Sequence, residues 1–428
     1  MSTGEDTREV AFPHFEYIGG ELTCDGVSLR QVAAEFGTPC YVYSKNSLIE
    51  KYHEFDAVFS HFPHLPHLVC YSVKANSNRS VISTFVRAGS GLDVNSGGEL
   101  YRALLAGGDA ARIIFTGVGK TAEEIAYALE QRALFLKVES FEELDVIDAV
   151  ARRMGVRAPV ALRVNPDVDA LTHPYISTGL AENKFGIPWD QALPAYEHAA
   201  SLPNLEIVGV DMHIGSQITT VEPFVEAASR LAGLFEILTQ KGIPISHIDL
   251  GGGLGISYDG SPSATASELA EALRPVIESL KATIVLEPGR YLTGNAGVLL
   301  TTVQYRKNTG AKQFLIVDAA MNDFLRPALY AAYHRIQPVM LGDHRGEEVV
   351  DVVGPVCESS DFIAKGRTLP RVERGEVLAV MSAGAYGFVM SSNYNSRPRA
   401  AEVLIEDGRA VCIRYRETYE DLVRREPT

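Results

Sequence analysis

The sequence predicts an α/β protein, in which a (β/α)8 barrel is followed by a C-terminal, mainly antiparallel β-domain. Eight short strand-like runs alternate with helical windows over about 240 residues, which matches the size of a (β/α)8 barrel. After Gly289 the pattern changes to β-rich runs with few helical windows, which is typical of an antiparallel domain. A doubly wound sheet is the structural alternative, and the count of eight strands favours the barrel.

Short apolar runs predict the barrel strands, and capping boxes predict several helices between them. In a capping box a Thr or Ser is followed three residues later by Glu, and the two side chains satisfy free amides at the helix start. The boxes are Thr121/Glu124, Ser140/Glu143, Thr219/Glu222 and Thr265/Glu268. The predicted strands are residues 68–73, 91–94, 113–116, 134–138, 160–164, 207–213, 247–250 and 284–287.

The first 45 residues are too few to bury a core of their own, so we expect their strands to join the β-domain. The segment YIGGEL predicts a turn between two strands, and residues 38–44 predict another strand. The predicted domains are therefore residues 1–45, which pack with the β-domain, residues 46–290 as the barrel, and residues 291–428 as the β-domain.

Composition and charge narrow the possible partners and the compartment. The 428 residues carry a formal net charge of −15, which argues against nucleic acid or an anionic membrane surface as the partner. No apolar run approaches the roughly 18 residues that span a bilayer, and the start MSTGEDTREV lacks the features of a signal peptide. The cysteines are odd in number and widely spaced, and they form no CxxC. They predict neither a disulfide framework nor a zinc site, and a cytosolic location follows.

The residues at the carboxyl ends of the predicted strands are the candidates for chemistry, because active sites of parallel barrels lie there. If the strands were only structural, most of these ends would carry bland turn residues. Here they carry charged and glycine-rich segments, so the sequence predicts a site at one mouth of the barrel. The residues are Lys74, Asp93, Asn165, His213, the 251–253 glycines, Glu287, Gly289 and Arg290.

Lys74 ends the first predicted barrel strand, within YSVKAN. An unpaired buried ammonium is strongly disfavoured, so a lysine in this place either shifts its pKa or forms a covalent imine. The alternative is a lysine that points from the strand end into solvent. The chemistry of the other strand ends favours the imine.

Two glycine-rich turns, DLGGGLGI after strand seven and EPGR after strand eight, predict a phosphate site. Successive glycines let backbone amides approach an anion, at a helix N-terminus if one follows. Three glycines are also typical of a plain tight turn, but their place after strand seven favours phosphate binding. A lysine, a phosphate cradle and a buried acid together suggest pyridoxal phosphate (PLP) as the cofactor.

In this hypothesis Lys74 forms the Schiff base, and Glu287 pairs with the pyridine nitrogen and keeps it protonated. His213 lies on the ring face, and Ser216 in HIGSQ suits a phosphate contact. Simpler interpretations exist for two of these positions. A histidine after a strand is often a hydrogen-bonded core group, and Asp93 could cap a helix instead of positioning His213 or the ring.

The motifs of the chain together resemble those of the PLP-dependent decarboxylases with an alanine-racemase-like fold, specifically the branch that acts on diaminopimelate. The resemblance covers nearly the whole chain. No single motif is specific, but the set is. The motifs are YSVKAN (71–76), GLDVNSGGEL (91–100), RVNPDVDALTHPYISTG with NKFGI (163–187), HIGSQ (213–217), DLGGGLGI (249–256), EPGR (287–290), RPALY (326–330), GPVCESSDF (354–362) and GAYGF (384–388).

The resemblance implies roles for the matching residues. Lys74, Asp93, His213 and Glu287 are implied to bind PLP, with Lys74 as the Schiff-base lysine and Glu287 as the partner of the pyridine nitrogen. The implied phosphate shell consists of Ser216, the glycines at 251–253 (Gly252 and Gly253 among them), Gly289, Arg290 and Tyr386. The implied substrate contacts are Arg290, Arg326, Tyr330, Glu358 and Tyr386.

Cys357 and Glu358 are implied to be donated across the interface of a homodimer with shared active sites. Cys357 is then a candidate proton donor to the carbanion, and Glu358 a recogniser of the distal amine. Free cysteines are more often inert small hydrophobes, but Cys357 lies in a polar loop. The chain departs from the family at Ser360, where a glycine usually precedes Asp361, and this departure concerns the geometry of the turn.

The implied reaction is the decarboxylation of an amino-acid substrate, meso-2,6-diaminopimelate, to L-lysine and CO2 in the last step of lysine biosynthesis, without a metal. The alternative is a same-fold decarboxylase of ornithine, arginine or a carboxylated polyamine, but those tend to carry Cys-Asp where this chain has Cys357-Glu358. Arg326 also favours a substrate with a second carboxylate. A racemase is disfavoured because it places Arg near the pyridine nitrogen. A non-catalytic regulator should have lost Lys74 or its phosphate shell.

Overall fold

A computed structural model describes residue 12 and residues 14–62, 64–169, 184–342 and 346–427. The chain folds into two units. The barrel unit comprises Lys51–Ile256 and Ser263–Tyr291, and the β unit comprises Met1–Glu50, Ser257–Pro262 and Leu292–Thr428. Residues 170–183, which belong to the motif quoted above for residues 163–187, lie outside the described residues.

The strands are numbered in chain order. They are β1 (Phe15–Ile18), β2 (Glu21–Cys24), β3 (Val27–Ser28), β4 (Cys40–Ser44), β5 (His67–Ser72), β6 (Gly91–Val94), β7 (Ile113–Phe115), β8 (Phe135–Val138), β9 (Ala158–Asn165), β10 (Ile187–Pro188), β11 (Leu205–Asp211), β12 (His247–Asp249), β13 (Thr283–Leu286), β14 (Gly297–Asn308), β15 (Gln313–Val317), β16 (Ile336–Pro338), β17 (Glu347–Val353), β18 (Phe362–Pro370), β19 (Val377–Val380), β20 (Ala401–Glu406) and β21 (Arg409–Arg414).

The helices are numbered in the same way. They are α1 (Leu29–Phe36), α2 (Lys45–Ser60), α3 (Arg79–Ala88), α4 (Gly97–Leu105), α5 (Ala122–Gln131), α6 (Phe141–Met154), α7 (Ala192–Ser201), α8 (Glu222–Gln240), α9 (Ala266–Ile277), α10 (Arg290–Thr293), α11 (Arg326–Tyr330) and α12 (Tyr419–Val423). Among the described residues, no helix is both long enough and apolar enough to span a bilayer.

The predicted barrel is confirmed. Within the described residues, eight parallel strands pair in the order β5-β6-β7-β8-β9-β11-β12-β13, and β13 pairs back onto β5 to close the barrel. Each of the eight predicted strands overlaps one of these. The prediction succeeded because buried parallel strands are short, continuous apolar runs, which are easily recognised when helical windows separate them.

Two of the four predicted capping boxes form completely. Thr121 caps α5 and Thr265 caps α9, each with the reciprocal bond from the glutamate three residues later. Ser140 caps α6 through the Glu143 amide, but the Glu143 carboxylate accepts from the Glu139 amide instead of completing the box.

The predicted box at Thr219/Glu222 is wrong. Helix α8 begins at Glu222 itself, so this glutamate is the first helical residue and not the third. The residue before the helix, Val221, makes no side-chain cap. Pro223 lies in the first turn instead, where its fixed φ suits a helix start and its missing N–H costs nothing.

The β unit contains a mainly antiparallel sheet with the order β18-β17-β15-β14-β4-β20-β21, and β19 pairs with both β14 and β16. Only β15–β17 and β20–β4 are parallel among its described pairings. The N-terminal strand β4 lies inside this sheet, between β14 and β20, which confirms that the N-terminal strands join the β-domain. Strands β1 to β3 form a small separate sheet joined by the predicted YIGGEL turn.

The core of the β unit shows why the N-terminal segment cannot fold alone. Leu22, Leu29 and Val42 from that segment are fully buried in one hydrophobic cluster with Val298 and Val403 from the C-terminal half. Burying a side chain of this kind stabilises the fold by roughly 1.5–3 kcal/mol, so each part of the chain depends on the other for its core.

We predict that Thr121→Ala destabilises the start of α5 and that Thr219→Ala changes nothing at the start of α8. The Thr121 hydroxyl accepts from the Glu124 amide at 3.2 Å, and losing a cap of this kind costs about 1 kcal/mol. Hydrogen exchange measured by mass spectrometry should then be about fivefold faster in peptides from the first turn of α5. Equal exchange in both variants would contradict the role of the box.

Candidate active site

The interior of the barrel is filled in two layers, because side chains on every second residue of a strand point to the same side. The lower layer is hydrophobic. It contains Leu68, Cys70, Ile114, Phe135, Ala161 and Val285. The residue two positions further along each of these strands is polar. These upper-layer residues are Ser72, Thr116, Lys137, Arg163 and Glu287, which are all buried.

Lys74 lies at the end of β5, beside the buried carboxylate of Asp93 from β6. Its Nζ is 3.4 Å from Asp93 Oδ2, and the Ser72 hydroxyl donates to the same oxygen at 2.8 Å. Burial would raise the pKa of Asp93, but the Lys74 and Lys137 ammonium groups outweigh it and lower that pKa to about 2. Asp93 is therefore an anion that holds Lys74 at the mouth of the barrel.

Glu287 directly follows β13 and forms an ion pair with a lysine buried in the barrel. Lys137 Nζ lies 2.6 Å from Glu287 Oε1, 2.7 Å from Asp211 Oδ1 and 2.7 Å from Asp249 Oδ2. Burial alone would lower the pKa of Lys137, but these carboxylates reverse the effect and raise it well above its ordinary value. Lys137 is therefore a permanent cation among three acids.

The carboxylates around Lys137 carry more negative charge than one ammonium can balance. Burial raises the pKa of Asp211 to about 7, although Lys137 opposes this shift. Burial, followed by the charges of Asp249 and Asp93, raises the pKa of Glu287 well above its ordinary value. The cluster therefore holds protons at neutral pH that ordinary carboxylates would have lost.

His213 follows β11 and has a defined tautomer. Its Nδ1 accepts a hydrogen bond from the Gly252 amide at 3.2 Å, so a proton on the neutral ring lies on Nε2. Burial and the nearby Lys74, Arg163 and Lys137 cations lower the pKa of His213 well below its ordinary value. The imidazole is therefore neutral at physiological pH.

The 251–253 glycines pack against other backbone segments. A Cβ at Gly252 would lie closer than 3.0 Å to the Glu287 carbonyl oxygen, and one at Gly253 closer than 3.0 Å to the Gly215 carbonyl oxygen. Gly253 also has a φ of +117°, which side chains strongly disfavour. The sequence left open whether a helix follows the glycines, and the next helix, α9, begins only at Ala266. Any anion here would be bound by a loop and not by a helix terminus.

Arg290 and Ser216 lie next to this glycine run in the barrel unit. Arg290 is buried, and its Nη2 donates to Ser216 Oγ at 2.9 Å. Gly289 gives Arg290 its position, because a Cβ there would press on the Cβ atoms of Ser72 and Ala75 at 3.0 and 3.1 Å. A guanidinium, a hydroxyl and backbone amides form a donor set that suits a phosphate.

Arg326 and Tyr330 belong to α11 of the β unit. The buried Arg326 guanidinium lies 5.2 Å from the Tyr258 ring and 6.0 Å from the Tyr330 ring. Its Nε donates to His334 Nε2 at 3.2 Å, and His334 Nδ1 donates to the Met381 carbonyl oxygen at 2.9 Å. His334 is thus a neutral acceptor that fixes the guanidinium, a group whose planar set of N–H donors suits a carboxylate.

Cys357 and Glu358 lie on the loop between β17 and β18 of the β unit, and Cys357 is exposed. The Asp361 carboxylate supports this loop by accepting from the Val356 and Met321 amides, each at 2.7 Å. Ser360, where the family usually has glycine, does not have a left-handed backbone conformation. Its hydroxyl donates to Glu358 Oε1 at 2.6 Å, so it restrains Glu358 and leaves the turn intact.

Tyr386 lies in the GAYGF loop of the β unit with a left-handed φ of +55°. The glycines on either side allow this tight loop. A Cβ at Gly387 would press on Tyr41, and one at Gly384 would collide with the Thr293 carbonyl group. The structure thus collects the predicted barrel residues at one mouth, and it places Arg326, Tyr330, Cys357, Glu358 and Tyr386 in the other unit.

The sequence analysis missed Lys137, Asp211 and Asp249. A signal for Lys137 was present, because a lysine between Leu136 and Val138 interrupts an otherwise apolar strand. Two positions after the inward-facing Phe135, it had to face the interior. The same alternation assigns Asp211 and Asp249 to the interior, since each lies two positions before a predicted site residue.

The comparisons with known proteins agree with this geometry. Residues 45–294 match the family described as pyridoxal-dependent decarboxylase, pyridoxal binding domain. The chain is 52% identical over 409 residues to diaminopimelate decarboxylase of Pseudomonas aeruginosa, which covers 95% of this chain and 97% of that protein.

Two crystal structures of diaminopimelate decarboxylases with L-lysine share the fold. The Helicobacter pylori enzyme has a TM-score of 0.89 and 42% identity, with 93% of this chain and 98% of that chain covered. The M. jannaschii enzyme has a TM-score of 0.92 and 38% identity, with 97% and 98% covered. On its matching domain, its full-length similarity and the residues at its barrel mouth, this chain belongs to the family of pyridoxal-dependent decarboxylases.

Proposed function

We propose that this chain catalyses the PLP-dependent decarboxylation of meso-2,6-diaminopimelate to L-lysine and CO2, the last step of lysine biosynthesis. The observation that carries the proposal is the set of ionisable residues around one barrel mouth, Lys74, Asp93, His213 and Glu287. Relatives named diaminopimelate decarboxylase are 50% and 52% identical to the chain, and L-lysine is the small molecule in two similar structures.

The donor set of the barrel unit fits PLP. Lys74 is the amine for covalent attachment, and the 251–253 glycines, Ser216 and Arg290 would hold the phosphate. The glycine run leaves no room for side chains, as a backbone cradle for an anion requires. Glu287 would hold the pyridine nitrogen. When bound, the cofactor supplies the electron sink for the pair left by the departing carboxylate.

The residues of the chain then have separate tasks. Asp93 and Ser72 hold the Lys74 amine near the mouth, where it can attach the cofactor and later release the product. The low pKa of His213 keeps its imidazole neutral, so the ring that would lie against the cofactor carries no positive charge. Arg326 and Tyr330 would bind a carboxylate of the substrate, and Tyr386 would add to the phosphate and substrate contacts.

The choice of substrate rests on the β unit. Arg326 is held by His334 and lies near two aromatic rings, which suits a guanidinium that binds a carboxylate. Ornithine and arginine lack the second carboxylate, so a same-fold decarboxylase of those amino acids has less use for Arg326. Ser360 holds the Glu358 carboxylate, and hydrogen bonding lowers the pKa of Glu358, which suits an acceptor for the distal amine.

The first test measures CO2 release from meso-diaminopimelate, ornithine and arginine by the PLP-loaded protein. We expect turnover with meso-diaminopimelate and at least about 100-fold lower kcat/KM with the two others, because they lack the second carboxylate that Arg326 would bind. Lys74→Ala should abolish both turnover and the adduct that borohydride traps on the chain. Trapping on another lysine would reject Lys74, and faster turnover of ornithine or arginine would reject the substrate.

A second prediction concerns the glycine run. Gly252→Ala should weaken PLP binding by about tenfold or more, because its Cβ would displace the backbone of Glu287. Gly233→Ala is the matched control, since nothing lies within 4 Å of a Cβ at Gly233. Equilibrium dialysis against PLP measures both affinities. Equal affinities would remove the glycine run from the cofactor site.

We further propose a homodimer with shared sites, in which Cys357 and Glu358 act in the partner's site. The support is their place on an exposed loop that Asp361 holds in shape. The cytosolic location expected from the sequence stays a prediction.

Subunit complementation tests the shared site. Lys74→Ala and Cys357→Ala chains should each be inactive alone. After subunit exchange in an equal mixture, activity should return to about a quarter of wild type, because half of the dimers are mixed and each has one intact site. Native mass spectrometry of the mixture, with one of the two chains carrying an affinity tag, measures the fraction of mixed dimers independently of activity. No recovery despite exchange would place both residues in one subunit's site.

A further inference from the structure

Lys137 is a lysine whose side chain is fully buried in the interior of the barrel. It lies on β8, and the strand opposite β8 in the ring of eight is β13, which Glu287 directly follows. The Lys137 side chain therefore crosses the interior. Its ammonium lies within 2.7 Å of one oxygen each from Asp211, Asp249 and Glu287.

The fold alone gives no reason for this cation. Buried ion pairs cost desolvation free energy, and apolar residues of similar volume often replace them without loss of stability. The layer directly below is hydrophobic, with Phe135 two residues earlier on the same strand. A methionine would continue that layer, so a requirement for Lys137 is expected to come from its partners.

The partner with a proposed chemical task is Glu287. One carboxylate oxygen from each of Asp211, Asp249 and Glu287 lies within 4.8 Å of the other two. The three acids therefore cannot all be anionic without a cation between them. Burial and the neighbouring acids favour the protonated form of Glu287, whereas Lys137 favours its carboxylate. Asp93 does not compete for Lys137 by direct contact, because it pairs with Lys74.

We propose that Lys137 is a positioning residue that acts through Glu287. Its ammonium opposes the burial that favours protonated Glu287, so that the proton shared with the cofactor's ring nitrogen lies on the nitrogen and Glu287 is the anion of that pair. This inference rests on the proposed PLP site. Lys137 itself touches neither cofactor nor substrate in this assignment, since its Nζ is enclosed by the three carboxylates.

The test uses the PLP-loaded protein and reads the 15N chemical shift of ¹⁵N-labelled PLP at its ring nitrogen. Wild type should show a protonated ring nitrogen. In Lys137→Met, which keeps the volume and removes the charge, the shift should move toward that of an unprotonated pyridine. Lys120→Met is the control, because the Lys120 side chain is also buried, and its ammonium pairs with Glu143 and donates to the Lys137 backbone carbonyl instead of pairing with the three carboxylates.

Kinetics give a second, independent measurement. We expect kcat for Lys137→Met to fall about 10- to 100-fold, which is the loss typical of a residue that orients another side chain in a functional site. In a Glu287→Gln background the same substitution should lower kcat by less than about twofold, because Lys137 then has no carboxylate to act on. Equal losses in both backgrounds would overturn the proposal.

The remaining outcomes separate this proposal from a role in folding. If Lys137→Met does not fold, Lys137→Met with Asp211→Asn restores the formal charge of the cluster and carries the test. A folded variant whose ring nitrogen stays as protonated as in wild type overturns the proposal, and so does failure of both variants to fold. An unprotonated nitrogen or absent PLP in wild type would reject the proposed cofactor site instead.

Discussion

The ion pairs between Lys137 and the three carboxylates determine how the interior of the barrel is divided. Charges in a protein interior are stable only when opposite charges and hydrogen bonds compensate for lost hydration. The lower layer contains none of these groups and packs as hydrocarbon. The compensating ion pairs and hydrogen bonds therefore lie in the upper layer. There Asp93 pairs with Lys74 and accepts a hydrogen bond from Ser72, and Glu287 pairs with Lys137.

This division explains why the chemistry has one location. A cofactor that carries both a phosphate and a cationic ring needs donors at one end and an acid at the other. In the proposed site the donors lie in the loops after β11, β12 and β13, and the acid directly follows β13. Arg290 and Glu287 are only three residues apart in the chain, so a single turn sets the separation of the two ends.

Most of the barrel could be predicted from the sequence because its signals are local. Apolar runs, helix caps and glycine-rich turns each span fewer than about ten residues, and eight of them in alternation leave few topologies. Whether a helix follows the glycine run could not be decided from the sequence, because the packing of Gly252 and Gly253 against Glu287 and Gly215 is non-local.

The charge cluster could not be predicted because its partners lie far apart in the chain. Lys137 meets Asp211 across 74 residues and Glu287 across 150 residues. Nothing in either local sequence identifies the other as its partner. The same holds for Arg326, whose aromatic neighbour Tyr258 lies far from it in the chain. Tyr258 belongs to Ser257–Pro262, a short segment between two parts of the barrel sequence that is assigned to the β unit. For Ser360 the sequence identified the residue as unusual, but it did not predict the hydrogen bond from its hydroxyl to Glu358.

The place of β4 within its sheet has a consequence for the order of events during synthesis. This strand, Cys40–Ser44, pairs with residues near 300 on one side and near 400 on the other. The ribosome releases Ala401–Glu406 last among these strands, so β4 waits for its second neighbour until almost the whole chain has emerged. The barrel strands, which end at Leu286, are complete much earlier. The barrel can therefore form while the chain is still being made, whereas the N-terminal strand stays an exposed edge open to chaperones until translation is nearly finished.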